Sequence, residues 1–277
     1  MVINSFLQNF IINPYQLRKI KNSEDLKIID CRWYLKEPRR GRIEFKRSHI
    51  EKAIFFDVDR LSNTSSKIPH MLPTANQFSR FVQKNNIQRN DKIIVYDQVG
   101  FFSSSRVWFS FKYFGFPCVR ILNGGYRRWK EKEHTSNIKN LKKNNSLFNF
   151  MPKLNLVIKK RDLEKSLEKR KFKIIDARPK SRFEGIQQEP RPGLIKGNIK
   201  SSINIPFDKI TKKNGYLKNL RDLENIILKN KIYRKDNIVC YCGSGITACN
   251  IIFVLSILGF KKIKLYDGSW SEWGKKN

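Results

Sequence analysis

Asp236-Asn-Ile-Val-Cys-Tyr-Cys242-Gly-Ser-Gly-Ile-Thr247-Ala-Cys249 reads as a strand, a tight loop and the start of a helix. Ile238 to Tyr241 is an apolar run of strand type. Gly243 and Gly245 follow at once, and a long apolar helix-type run, Ala248 to Phe260, comes next. The same grammar stands in the first half of the chain. Asp91-Lys-Ile-Ile-Val-Tyr96 repeats Asp236-Asn-Ile-Val-Cys-Tyr241, and Lys27-Ile-Ile-Asp30-Cys-Arg32 repeats Lys173-Ile-Ile-Asp176-Ala-Arg178. Gly115-Phe116 returns as Gly259-Phe260, and Leu122-Asn-Gly124-Gly with Trp129 returns as Tyr266-Asp-Gly268-Ser with Trp273. Near-constant offsets over so long a span mean a duplicated domain. Within each half, short β-type runs alternate with helical patterns, which predicts an α/β domain built on a mainly parallel sheet flanked by helices.

The expected boundaries are a first domain over 1–135, a linker over 136–155 rich in Lys, Asn and Ser, and a second domain over 156–277. A chain of 277 residues suits two such domains. Apolar residues make up 40% and charged residues 29%, a globular balance. The formal charge of +33 raises nucleic acid and membrane surfaces as partners. The basic residues are spread along the whole chain, and no basic module interleaved with aromatics stands out, so neither partner is expected. A positive field still favours a small anionic substrate.

Five cysteines (31, 118, 240, 242 and 249) show neither disulfide spacing nor a C-x-x-C pair. Zinc and dithiol redox sites are therefore not expected, and a reducing compartment, the cytoplasm, fits best. The first twenty residues have no basic segment leading into an apolar core, so no signal peptide is expected. The run Ile251 to Phe260 is too short to span a bilayer.

Cys242 ends a strand at a Gly-rich loop and a helix N-terminus. Backbone N–H groups there favour an anion at the sulfur, so Cys242 is the expected nucleophile. At the repeat offset its counterpart is Asp97, so the second half is the catalytic one. Ligand sites of open α/β sheets lie beyond the carboxyl ends of the strands, which points to a cleft between the halves. Protein phosphatases also carry a cysteine between strand and helix, but they need an arginine six residues later, where this chain has Ala248.

Cys242-Gly-Ser-Gly-Ile-Thr-Ala248 resembles the active-site loop of the two-domain rhodanese family, and within it the 3-mercaptopyruvate sulfurtransferases. Three further motifs stand in the family's order: His70-Met-Leu-Pro, Glu189-Pro-Arg191-Pro-Gly and Asp267-Gly-Ser-Trp-Ser-Glu-Trp273. The resemblance implies tandem rhodanese-like domains, the first inactive. It implies transfer of sulfur from 3-mercaptopyruvate through a Cys242 persulfide to a thiol or cyanide, with release of pyruvate. It also implies a relay of Ser244, His70 and Asp59, substrate binding by Arg182 and Arg191, and an active-site loop of Gly243, Gly245, Ile246 and Thr247. Ser244 also suits a helix N-cap. Rhodaneses proper carry basic residues after the cysteine, suited to doubly charged thiosulfate, whereas Gly243-Ser244-Gly245 is neutral. Thiosulfate transfer and a persulfide-carrier module with little turnover remain the alternatives. The expected acceptor is a thiol, such as that of a thioredoxin-like protein. No metal or organic cofactor is expected, and the chain is expected to be a monomer. Arg178, His49 and Cys249 are expected to be structural.

Overall fold

A computed structural model describes residues 6–130 and 150–275. Each half builds a five-stranded sheet in which every recorded strand pairing is parallel. In the first, β1 (Ile11–Ile12), β2 (Leu26–Asp30), β3 (Ile54–Phe55), β4 (Lys92–Tyr96) and β5 (Val119–Leu122) lie in the order β1-β5-β4-β2-β3. In the second, β6 (Val157–Ile158), β7 (Lys173–Asp176), β8 (Ile203–Asn204), β9 (Ile238–Tyr241) and β10 (Ile263–Tyr266) lie in the order β6-β10-β9-β7-β8. The two orders are identical, as duplication requires.

Parallel sheets bury both faces, which explains why the central strands are continuous apolar runs and not alternating ones. All four residues of β9 are buried, and Ile174 and Ile175 of β7 are as well. Full burial of each such side chain contributes about 1.5–3 kcal/mol. The helix after the Cys242 loop runs from Ala248 to Ile257, and every residue except Ser256 is buried. A helix apolar all round belongs inside a core. It stops three residues short of Phe260, because Gly259 turns the chain at φ +83° and the Phe260 N–H caps back onto the Leu255 carbonyl.

The crossovers β7→β8 and β9→β10 leave in opposite directions, so the strand order reverses between β7 and β9. Cys242 follows β9, and Arg178 lies just beyond β7. Crevices at such a reversal bind ligands.

The described residues fall into two compact units. Of these, 6–64, 72–130, 150–153 and Lys213–Leu217 belong to the first, and Ser65–Met71, Leu154–Lys212 and 218–275 to the second. His70, which the repeat assigns to the first half, is thus counted in the second unit. The linker expected over 136–155 lies outside the described residues as far as 149. Beyond that, Phe150 is buried against Phe78 and Phe116, and the Lys153 N–H donates to the Tyr113 carbonyl, so both belong to the first unit. Among the described residues, no helix is long and apolar enough to cross a membrane.

The first unit also shows what fills the loop that lacks a cysteine. Asp97 is fully buried. Its Oδ1 accepts the N–H groups of Val99 and Gly100 at 3.0 and 2.5 Å. Its Oδ2 accepts those of Phe102, Ser103 and Ser104 at 2.7, 2.9 and 2.9 Å. Five backbone donors converge on one carboxylate at the head of the helix Ser104–Tyr113. Such a nest is an anion site, and here the chain supplies its own anion. Asp97→Ala should leave these donors buried and unsatisfied, at a cost of about 3 kcal/mol or more. For a chain of this size the melting temperature should fall by about 6 °C or more. An unchanged melting curve would mean that the carboxylate does not hold the loop.

Candidate active site

Cys242 stands one residue past β9 at the position of Asp97, in a loop of the same kind. Its side chain is nearly buried, with 2% of the residue exposed. Gly245 turns the loop at φ +77°, a conformation that favours glycine. Ile246 is buried, and its carbonyl accepts the Cys249 N–H at 3.2 Å. Thr247 is the helix N-cap, without a side-chain capping bond. Ser244 is therefore not the cap that its spacing also suited; its hydroxyl is engaged elsewhere.

The loop is clamped from behind by the Asp267–Trp273 segment. The Trp270 N–H donates to the Cys242 carbonyl at 2.9 Å, and the Ser271 N–H and hydroxyl both donate to the Gly243 carbonyl at 2.9 and 2.6 Å. The Cys242 N–H donates to Ser269 Oγ at 3.1 Å. Ser269 holds φ +50°, a strained value for a side-chain-bearing residue. The motif, whose sequence alone assigns it no role, fixes the backbone of the Cys242 loop.

The second unit brings His70, Arg191 and Ser244 together. Arg191 Nη2 donates to His70 Nδ1 at 3.1 Å and to Ser244 Oγ at 3.4 Å, and His70 Nδ1 lies 3.0 Å from Ser244 Oγ. A guanidinium can only donate, so Nδ1 is the acceptor and the ring proton sits on Nε2. The Ser244 hydroxyl then donates to Nδ1, the geometry in which an imidazole polarises a hydroxyl. His70 is held at φ +60°, another strained backbone position. Asp59 belongs to the first unit, where its Oδ1 accepts the Trp33 Nε1–H at 2.8 Å.

Arg182 stands directly over Gly243. A Cβ on that residue would lie 2.8 Å from Arg182 Nη2, so the absence of a side chain makes room for the guanidinium. Arg182 is anchored by Glu189: its Nε donates to Glu189 Oε1 at 3.1 Å, and its Nη2 pairs with Oε2. The motif by itself assigns Glu189 no role. The available signal was its chemistry, a carboxylate two residues from one arginine and seven from another in a chain poor in acids.

The residues expected to be structural are so engaged. Arg178 is fully buried, bonded to Asp176 Oδ2 at 2.6 Å and to the Gly197 carbonyl at 2.7 Å, and stacked 4.4 Å from the Trp270 ring. Burial opposes its charge, but the hydrogen bond and charge of Asp176 outweigh burial, and its pKa is raised. Arg32 repeats this with Asp30, over the Tyr126 ring at 4.3 Å. His49 Nδ1 bonds the Phe45 carbonyl at 2.7 Å. Cys249 Sγ donates to the Gly245 carbonyl at 3.3 Å. Burial pushes the Cys31 and Cys240 thiols well above the usual thiol range. Among the described residues, no cluster of three His, Cys, Asp or Glu suits a metal ion.

Arg182 and Arg191 thus stand beside Gly243 and Ser244 in the loop that carries the Cys242 thiol, at the head of the helix Ala248–Ile257. A family model described as "Rhodanese-like domain" matches residues 13–132 and 159–276. A mouse 3-mercaptopyruvate sulfurtransferase is 34% identical over 262 residues, covering 93% of this chain and 88% of the mouse protein. A mouse thiosulfate sulfurtransferase is 30% identical, covering 94% and 89%. The crystal structure of an Escherichia coli 3-mercaptopyruvate sulfotransferase superposes with a TM-score of 0.84 at 30% identity, over 94% of this chain and 98% of that one.

Proposed function

Because the chain belongs to the rhodanese family and is a sulfurtransferase, we propose that its sulfur donor is 3-mercaptopyruvate. The Cys242 thiolate attacks the donor sulfur. The carbon–sulfur bond breaks, its electron pair leaves with the pyruvate enolate, and the enolate takes a proton at carbon. Cys242 keeps the sulfur as a persulfide, whose anion is stabilised by the loop N–H groups and the helix N-terminus. Arg182 and Arg191 bind the carboxylate and the carbonyl, and so stabilise charge developing on the enolate. The Ser244 hydroxyl, bonded to His70 Nδ1, is polarised for proton exchange with the reacting donor. An acceptor thiolate, such as that of a thioredoxin-like protein, then takes the outer sulfur and frees Cys242. Cyanide does the same and leaves as thiocyanate.

The observation that carries this reading is the residue after Gly243. Where thiosulfate enzymes put a basic side chain, this loop has a serine bonded to His70 and Arg191. That neutral, hydroxyl-bearing position suits a keto acid with a single charge. The five free cysteines support a reducing compartment, the cytoplasm. The test is the steady-state kinetics of the unaltered protein with each donor, using cyanide and a dithiol as acceptors. The expected kcat/KM for mercaptopyruvate exceeds that for thiosulfate by about ten-fold or more, the effect of one charged hydrogen bond. A larger value for thiosulfate overturns the donor, and a persulfide that forms but does not turn over with either acceptor favours a persulfide carrier.

A further inference from the structure

Glu189 is a carboxylate that the proposed chemistry does not use. Its side chain is 1% exposed, and Oε1 accepts from both Arg178 Nη1, at 2.8 Å, and Arg182 Nε, at 3.1 Å. Its other oxygen pairs with Arg182 Nη2. A carboxylate is not buried without charged partners to offset its desolvation. The charge of Arg178 is already matched by Asp176, which takes its Nε–Nη2 edge with both side chains fully buried, and Glu189 meets the Nη1 that remains. The charge of Glu189 is therefore spent on Arg182, whose side chain is 12% exposed and lies over Gly243, next to the nucleophile. Both bonds use the Nε–Nη2 edge and leave Nη1 to a ligand.

Two effects follow from one contact. The fork holds the guanidinium plane at a set angle over the loop. It also cancels most of the field that Arg182 would exert on a bound donor, while its remaining N–H groups still donate. A site built this way offers hydrogen bonds to an anion without surplus positive charge. We propose that Glu189 is a positioning residue that sets the charge class of the sulfur donor, favouring a monoanion over a dianion by neutralising Arg182. This rests on Arg182 being a donor-binding residue, as the proposed function has it.

The test compares mercaptopyruvate, a monoanion, with thiosulfate, a dianion, in the full-length protein and in Glu189→Gln. Glutamine keeps an acceptor for Arg178 Nη1 and Arg182 Nε and removes the charge. An extra unit charge within about 7 Å, at the effective dielectric of such sites, changes affinity by more than about ten-fold. The ratio of kcat/KM for mercaptopyruvate to that for thiosulfate should therefore fall by about ten-fold or more. The change should lie mainly in the KM for thiosulfate, and inhibition by sulfate should tighten by a similar factor. Arg182→Gln provides the reverse arm, since it leaves Glu189 with Arg178 alone. It should raise the same ratio, because the dianion then meets a less compensated carboxylate. This arm stands even if Glu189→Gln fails to fold, which melting curves would show. Equal losses for both donors, with sulfate inhibition unchanged, would make Glu189 a brace and nothing more. The unaltered protein's own ratio decides the donor, whereas the change in that ratio decides this inference, so either can fail alone.

Discussion

Cys242→Ser should form no persulfide and should lose about 10⁴-fold or more of its sulfur transfer, the scale seen when a covalent nucleophile is removed. Serine keeps the shape, and the backbone bonds from Trp270 and to Ser269 do not involve the thiol, so the fold should survive. The other four cysteines should tolerate Ala or Ser with activity kept. Cys31 and Cys240 are buried with thiols pushed well above their usual range, and Cys249, inside the helix, donates to the Gly245 carbonyl of the preceding loop. Cys118 is exposed and follows no strand into a glycine loop. Mass spectrometry after incubation with mercaptopyruvate should find about one extra sulfur atom per chain, on the peptide carrying Cys242. The same atom on Cys249 would overturn the assignment.

Arg191→Lys should lower kcat/KM for mercaptopyruvate by about ten- to a hundred-fold. Arg191 reaches His70 Nδ1 and Ser244 Oγ with one nitrogen, and its planar guanidinium suits a carboxylate. Lysine retains the charge but not the fork, and it cannot serve the imidazole, the hydroxyl and a carboxylate together. Each charged hydrogen bond lost costs about 1.5–3 kcal/mol. Melting temperature should change little, because Arg191 sits in a partly exposed loop and carries no core packing. Activity within two-fold of the unaltered protein would remove Arg191 from the donor site.

Much of this molecule is legible in its sequence. The duplication appears as offsets between Ile28–Asp30 and Ile174–Asp176 and between the two apolar runs that became β4 and β9. Strand type was readable because a parallel strand buried on both faces must be apolar throughout, a purely local constraint. The strand–loop–helix turn at Cys242 was readable for a similar reason, since its parts are neighbours along the chain. What the tertiary structure alone decided are contacts between residues far apart in sequence. His70 meets Ser244 across a separation of 174 residues and counts with the second unit, although its repeat position lies in the first half. Glu189 meets both Arg178 and Arg182 because the turn after β7 folds back on itself, and no periodicity encodes that. The nest around Asp97 shows the same limit. A single aspartate in the sequence marks a missing cysteine, but five converging N–H groups become visible only once the backbone has closed around it. Local pattern sets which segments bury their side chains; which polar groups then satisfy one another depends on where those segments come to rest.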